Sequence, residues 1–196
     1  MTHKAKSAFI HNRRPVSCKY QRIWSRKVHK VVEYYVAHPT ARLFAITGDL
    51  DNLGIFVSRH GRPLAENLVD VYNRLIGAFM YSFTKRHVGT IPKFCMIPSG
   101  EEIFAIGVTT NVSVARNFFR LLESEVNEFV RANAPVLIDD VTVSFGCSLF
   151  PSKIVRSVAT QFVTLVRHNE VQKASQAYLD LMLLMRRTLA YELDRE

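Results

Sequence analysis

Two short acidic segments in the first half of the chain carry residues that could do chemistry. Asp49 and Asp51 follow the apolar run 43–47, and Glu101 and Glu102 follow a Pro-Ser-Gly turn. Carboxylates at strand ends are either solvated turn residues or metal ligands in a cleft. Oxygen ligands without His or Cys favour Mg²⁺ or Mn²⁺. If the fold brings the two segments together, a cation would relieve their mutual repulsion, and the site could act on a nucleotide phosphate.

Hydrophobic periodicity predicts the elements that would position these acids. It indicates helices over 17–37, 64–86 and 112–132, strands over 43–47, 93–97, 102–108 and 141–149, a turn region over 48–62, and a largely helical tail from 151. The central order is strand, helix, strand, strand, helix, strand, which is the ferredoxin-like arrangement. Its first and third strands are central antiparallel neighbours, so Asp49 should lie beside Glu101 and Glu102. We therefore predict an α+β fold: a βαββαβ core whose antiparallel sheet has helices on one face, an N-terminal helix and a helical C-terminal tail.

Length and composition indicate one structural domain. The 196 residues are 48% hydrophobic and 22% charged, as in ordinary soluble proteins. No apolar run approaches the roughly 20 residues of a membrane span, so no membrane partner is expected. The N-terminus lacks the apolar core of a signal peptide, and the three cysteines show no paired motif. We expect a cytoplasmic protein in which residues 1–40 form a basic arm and helix and residues 41–196 form the main domain.

Positive charge is concentrated at the N-terminus. The net charge is +9, and nine Lys and Arg residues but no acid precede Glu33. Such a block is usually a solvated face, and the alternative is a contact for nucleotide phosphates or nucleic acid. No aromatic platform is interleaved, as single-strand binders require. The solvated face is therefore favoured, and nucleic acid is not the expected partner.

Three segments resemble the GGDEF and CRISPR-polymerase palm superfamily. Residues 49–51 (Asp-Leu-Asp) match the Asp-x-Asp that ends its first strand, and residues 99–103 (Ser-Gly-Glu-Glu-Ile) match the GGDEF hairpin signature with tolerated Ser and Glu variants. Residues 141–146 (Val-Thr-Val-Ser-Phe-Gly) match a later strand with Ser-x-Gly. The matches occur in order across about residues 43 to 150. The resemblance implies that residues 41–196 form a palm-type nucleotide cyclase domain.

The resemblance also implies roles for the acidic residues. Asp49 and Glu101 would be the metal carboxylates, and the Leu50 carbonyl would be a further ligand. Glu102 would assist deprotonation of a ribose hydroxyl. Asp51 would either bind metal or orient the turn. The implied cofactor is Mg²⁺ or Mn²⁺, with two ions bound.

Nucleotide-binding residues are expected around these acids. The backbone N–H groups of the turn after Leu50 could cradle a triphosphate. Gly100 would let the nucleotide approach the hairpin backbone closely. Three basic residues are phosphate candidates, with surface charge as their alternative role. The full expected nucleotide-binding set is Asn52, Leu53, Gly54, Ser99, Gly100, Arg59, Arg62 and Lys173.

The sequence departs from diguanylate cyclases where they read guanine. Their base-reading Asn falls at Val57 and their later acid near Glu66, the usual Phe-Lys is Leu53-Gly54, and no Arg-x-x-Asp motif precedes Ser99. These differences favour a resemblance to the minimal CRISPR polymerases, which are small stand-alone palms. That resemblance implies ATP as substrate, a cyclic dinucleotide or short cyclic oligoadenylate as product, and a partner effector that binds the product in bacterial anti-phage defence.

The sequence thus predicts a metal-dependent nucleotidyltransferase that condenses nucleoside triphosphates with release of pyrophosphate. Because one active site holds one triphosphate, a cyclic product requires two palms, so we expect a homodimer with the acidic edges opposed. Three alternatives stay open: a diguanylate cyclase-like or GTP-hydrolysing palm, a non-catalytic nucleotide-binding palm, and a nucleic-acid-binding module that uses the basic arm.

Overall fold

The computed structural model describes residues 18–133, 141–150 and 153–193. In chain order its elements are α1 Cys18–Ala37, β1 Arg42–Leu50, α2 Leu53–His60, α3 Arg62–Arg86, β2 Lys93–Ser99, β3 Glu102–Thr109, α4 Val112–Asn133, β4 Val143–Phe150, α5 Lys153–Arg167 and α6 Val171–Leu193. The basic arm before residue 18 and the start of the predicted tail at 151–152 lie outside the described residues. None of the helices within these ranges is long and apolar enough to cross a membrane.

The sheet has the strand order β2-β3-β1-β4, and all neighbouring strands are antiparallel. This is the ferredoxin-like order, so the predicted α+β fold class and the pairing of the first and third strands are confirmed. The register pairs Asp49 with Glu102 on β3 and with Ser144 on β4. The acidic C-terminal end of β1 therefore lies between β3 and β4, at one end of the central strands.

Both faces of the sheet are covered by helices. The helices of the βαββαβ core, α3 and α4, pack with α2 on the face that carries Phe44 and Ile46. The terminal helices α1, α5 and α6 pack on the opposite face, which carries Leu43 and Ala45. Because each of these four side chains is fully buried, β1 needs apolar residues at consecutive positions rather than at alternate ones.

Two boundaries differ from the sequence prediction. The prediction of a turn over 48–62 was wrong in part, because β1 continues to Leu50 and α2 occupies Leu53–His60. Only Phe56 of α2 is buried, so this short helix has almost no apolar periodicity to reveal it. Strand β2 also continues through Pro98 to Ser99. Proline is tolerated there because β2 lies at the edge of the sheet.

The N-terminal helix is tied to the C-terminal region by hydrogen bonds from α5. The guanidinium of Arg156 on α5 donates hydrogen bonds to the carbonyls of Tyr35 (2.9 Å), Pro39 (3.2 Å) and Ala41 (3.1 Å). It also lies 4.0 Å from the centre of the Tyr35 ring. These contacts orient the end of α1 and the loop that enters β1.

Candidate functional site

The acidic site is assembled by the pairing of β1 with β3. Asp49 is directly opposite Glu102 in the register, and Glu101 immediately precedes Glu102 in the β2–β3 turn. Side chains directly opposite each other in an antiparallel pair lie on the same face, with Cβ atoms about 4.5–5.5 Å apart. Two segments fifty residues apart in sequence thus meet at one point. The strand order predicted this meeting, whereas the chemical roles of the three acids stay predictions.

Negative charge is concentrated around Asp49. Desolvation at the strand end raises the pKa of Asp49, and the charges of Glu101, Glu102 and Asp51 raise that pKa further. A hydrogen bond from the Leu50 backbone N–H acts in the opposite direction. Among the described residues, the charged side chains that shift this pKa are all carboxylates. Such a group is stabilised by protonation or by a cation.

The hairpin that carries Glu101 is a tight two-residue turn. Gly100 has φ +65°, a left-handed conformation that tight hairpin turns place at this position. A Cβ built on Gly100 would meet nothing within 4 Å among the described residues. Glycine is therefore required by the backbone conformation and not by crowding from neighbouring atoms. Asn73 of α3 donates a hydrogen bond from Nδ2 to the Gly100 carbonyl at 2.9 Å. The turn is therefore attached to the helical layer.

Asp51 has a different environment from that of Asp49. Its Oδ2 accepts a hydrogen bond from Thr142 Oγ1 at 2.7 Å, and Ser144 Oγ donates to Oδ1 at 3.0 Å and to Oδ2 at 2.9 Å. Its backbone N–H donates to the Thr142 carbonyl at 2.9 Å. Of the two roles that the sequence left open for Asp51, these contacts support orientation of the turn. Metal binding by Asp51 stays a prediction.

The segment that holds Asp51 is itself anchored by two helices. Asn127 of α4 donates from Nδ2 to the Val143 carbonyl at 3.2 Å and accepts from the Val143 N–H at 3.0 Å. The hydroxyl of Tyr72, buried on α3, donates to the Val141 carbonyl. Hydrogen bonds from the helical layer thus fix the backbone on both sides of Thr142.

The first turn of α2 offers backbone N–H groups next to the acids. Asn52 has a left-handed conformation (φ 59°), and its carbonyl accepts from the N–H groups of Ile55 and Phe56, each at 3.0 Å. The first amides of a helix, here those of Leu53 and Gly54, have no acceptor inside the helix and lie at its positive end. A Cβ on Gly54 would meet nothing within 4 Å, so the described residues leave this end of α2 uncovered.

The basic candidates lie on exposed helix surfaces. Arg62 forms an ion pair with Glu66 at 3.6 Å, one turn further along α3. Lys173 forms one with Glu170 at 2.6 Å. Arg59 is exposed in the last turn of α2. The structure gives each of the first two a local carboxylate partner, and their binding of phosphate stays a prediction.

The donor atoms at the site fit an ion that arrives with a nucleotide. In the described ranges 18–133, 141–150 and 153–193, no three His, Cys, Asp or Glu side chains are grouped so that they could hold a metal ion. Mg²⁺ usually takes only one or two protein carboxylates and completes its coordination with waters and substrate phosphates. Asp49 and Glu101 could supply those two carboxylates, and the remaining positions would belong to the triphosphate.

An open cavity of about 440 Å³ adjoins the hairpin, lined by Asp70, Asn73, Arg74 and Pro98. Sequence reasoning found neither this cavity nor the hydrogen bond from Asn73, since an Asn within a helix has no distinguishing pattern. It also assigned no role to Thr142 or Ser144. Their signal is weak but present: two hydroxyl residues at alternate positions within the first residues of the predicted strand 141–149.

No protein-family model matches the chain, and comparison with curated proteins finds none that is similar. Among solved structures, the chain is similar to a sensory box/GGDEF family protein from Caulobacter crescentus CB15, with 19% identity, coverage of 67% of this chain and 78% of that chain, and a TM-score of 0.46. It is also similar to the GGDEF domain of TpbB (YfiN) from Pseudomonas aeruginosa (14%, 67%, 70% and 0.42). A third is the GGDEF domain of DgcB from Caulobacter crescentus in complex with c-di-GMP (14%, 76%, 83% and 0.45). Similarity at this level carries no functional argument, so function is argued from the site.

Proposed function

We propose that the protein is a metal-dependent nucleotidyl cyclase. It condenses nucleoside triphosphates, with two ATP favoured, into a cyclic dinucleotide or short cyclic oligoadenylate. The observation that supports this function is the pairing of Asp49 with Glu102 across β1 and β3, with Glu101 in the adjoining turn. It brings carboxylates together where desolvation and their mutual repulsion raise the pKa of Asp49, an arrangement that a divalent cation stabilises.

Asp49, Glu101 and the Leu50 carbonyl would hold Mg²⁺ or Mn²⁺, with two ions in the complete site. When bound, the ions would lower the pKa of the ribose hydroxyl and neutralise charge on the phosphates. The amides of Leu53 and Gly54 would hold the triphosphate, because helix N-termini favour anions.

The reaction forms a bond between a ribose oxygen of one nucleotide and the α-phosphorus of another. The bond between the α- and β-phosphates breaks, and pyrophosphate leaves. Glu102 assists removal of the hydroxyl proton. Closing a ring requires this step twice, so two protomers place their acidic edges against each other in a homodimer.

Adenine is the favoured base because the residue at the guanine-reading position is Val57. Its side chain is apolar and 36% exposed on α2, so it offers no hydrogen bond to a base edge. The cyclic product would act as a signal in bacterial anti-phage defence, where a partner effector binds it.

Incubation of purified protein with each of the four nucleoside triphosphates and Mg²⁺ or Mn²⁺ tests the proposal. We expect pyrophosphate and a cyclic product with ATP, identified by mass spectrometry and by nuclease mapping of its linkages. An Asp49→Ala variant is the control. Equal pyrophosphate release by both proteins would refute the proposal. A ring-opened or guanine-containing product would favour the GTP-hydrolysing or diguanylate cyclase-like palm, and tight binding without turnover would favour the non-catalytic one.

A further inference from the structure

The entry to β4 presents two hydroxyl groups to a single carboxylate. Thr142 and Ser144 flank Val143, and both donate hydrogen bonds to the oxygens of Asp51, at 2.7 to 3.0 Å. An ionised carboxylate accepts hydrogen bonds and cannot donate them, so the hydroxyls must be the donors. Hydrogen bonds to a charged acceptor are roughly twice as strong as neutral ones. The side chain of Asp51 is therefore directed towards β4.

The backbone of Asp51 is fixed to the same segment. Its N–H donates to the Thr142 carbonyl at 2.9 Å, directly after the last β1–β4 pair, Leu50 with Val143. Asp51 is thus held by both its main chain and its side chain at the point where β1 ends. Asn52, the next residue, turns the chain into α2 with its left-handed conformation.

We propose that Thr142 and Ser144 are positioning residues of the cyclase. By holding Asp51, they set the direction of the β1–α2 turn and so keep the Asp49 carboxylate and the first amides of α2 in place around the triphosphate. This inference rests on the proposed function. It assigns Asp51 an orienting role, because binding a metal through Asp51 would compete with the hydrogen bonds from Thr142 and Ser144 that its two oxygens already accept.

Thr142 and Ser144 form a clamp on Asp51, and this clamp can act because the backbone that carries it is anchored. Asn127 makes two hydrogen bonds to the Val143 backbone, and Tyr72 donates to the Val141 carbonyl. A hydroxyl on a fixed strand restricts the position of the carboxylate that accepts its hydrogen bond. A hydroxyl on a free loop would instead move together with that carboxylate. Small displacements matter here, since misplacing reacting groups by about 1 Å can lower a rate by about 100-fold.

The test removes the hydroxyls and keeps the rest of the side chains. In Thr142→Val combined with Ser144→Ala, we expect kcat for pyrophosphate release to fall by about 10-fold or more at saturating ATP and Mn²⁺, because the attack geometry is no longer held. The concentration of Mn²⁺ that gives half-maximal rate should rise. A second double variant combines Thr142→Ser with Ser144→Ala and so restores only the hydroxyl at position 142. This variant should recover most of the rate.

A hydroxyl further along the same strand supplies the matched control. Ser148 Oγ is buried on β4 and has no hydrogen-bond partner among the described residues. Ser148→Ala should therefore leave kcat and the Mn²⁺ requirement unchanged. Circular dichroism and thermal unfolding of all variants establish that assays are run on folded protein.

Two results would overturn the positioning role. One is a double variant that melts at a lower temperature than wild type but has the same kcat as wild type when assayed well below its melting temperature. The clamp would then stabilise the fold without positioning the site. The other is an Asp51→Asn variant that loses Mn²⁺ binding as completely as Asp49→Asn, which would make Asp51 a ligand.

If wild-type protein turns over none of the nucleotides, the proposed function fails, yet the clamp is still testable. Hydrogen exchange of the amides over residues 50–56 should be faster in the double variant than in wild type and in Ser148→Ala. Equal exchange in all three proteins would refute the clamp itself.

Discussion

Asp49 and Asp51 belong to the same acidic motif but lie in opposite electrostatic environments. Asp49 is directly opposite Glu102 and close to Glu101, and desolvation together with the charges of these two acids raises its pKa. Asp51 accepts hydrogen bonds from Thr142 and Ser144. A carboxylate among carboxylates opposes folding, whereas a carboxylate among donors supports it. The comparison teaches that the spacing of an acidic motif does not determine what each acid does.

The largest effect should follow from removing the charge of Asp49. In Asp49→Asn, turnover of ATP should fall by about 10²–10³-fold, as when other preorganised electrostatic groups of active sites are removed. Pyrophosphate release at saturating Mn²⁺ measures it, with Glu128→Gln on the exposed surface of α4 as a control. Wild-type turnover by Asp49→Asn would show that the proposed site is not where the reaction occurs.

The second effect concerns stability and sets Asp51 apart. Asp51→Ala should lower the free energy of unfolding by about 1.5–3 kcal/mol, because two hydroxyls lose their charged acceptor. Denaturant unfolding of wild type, Asp51→Ala and Asp49→Ala checks this difference. If both alanine variants lose the same stability, the contrast between the two acids is wrong.

A smaller effect is expected at the hairpin. Asn73→Ala removes the hydrogen bond to the Gly100 carbonyl and should cost about 0.5–1.5 kcal/mol of stability. Because the turn carries Glu101, we expect the loss in kcat, expressed as a free energy, to be larger than the loss in unfolding free energy. The comparison is between kcat and the unfolding free energy of the same variant, and unchanged kcat would remove Asn73 from the supports of the site.

The smallest effect is a dependence of stability on pH. The folded protein binds a proton at Asp49 more readily than the unfolded chain does, since folding raises this pKa above its ordinary value of 3.8. The stability of wild type relative to Asp49→Asn should therefore decrease as pH rises from below 3.8 through the higher folded pKa, and then stay constant.

Melting temperatures without metal measure this dependence. Asp49→Asn should melt above wild type at pH 7 and together with wild type at pH 3, and Mn²⁺ with ATP should reverse the order at pH 7. If Asp49→Asn melts below wild type at pH 7 without metal, the ionised Asp49 carboxylate does not destabilise the fold, which contradicts this prediction.

Much of the fold could be predicted from the sequence, because apolar periodicity records which side of each element is buried. The uninterrupted apolar run at Leu43–Ile46 indicated a central strand, and the element order then placed Asp49 beside Glu102. Helix α2 was missed because only Phe56 is buried in it. The sequence predicted the helix α1 and a largely helical tail where α5 and α6 lie, but not that these helices cover the other face of the sheet.

The sequence by itself therefore determined the strand order and the meeting of the acidic segments, since both follow from local patterns and the few topologies that these patterns allow. Only the tertiary structure decided how each acid is held. Thr142 lies 91 residues from Asp51, and Asn73 lies 27 residues from Gly100. A hydrogen bond between distant side chains needs one donor at one place and leaves no periodic trace, so the different environments of Asp49 and Asp51 emerge only when the chain is folded.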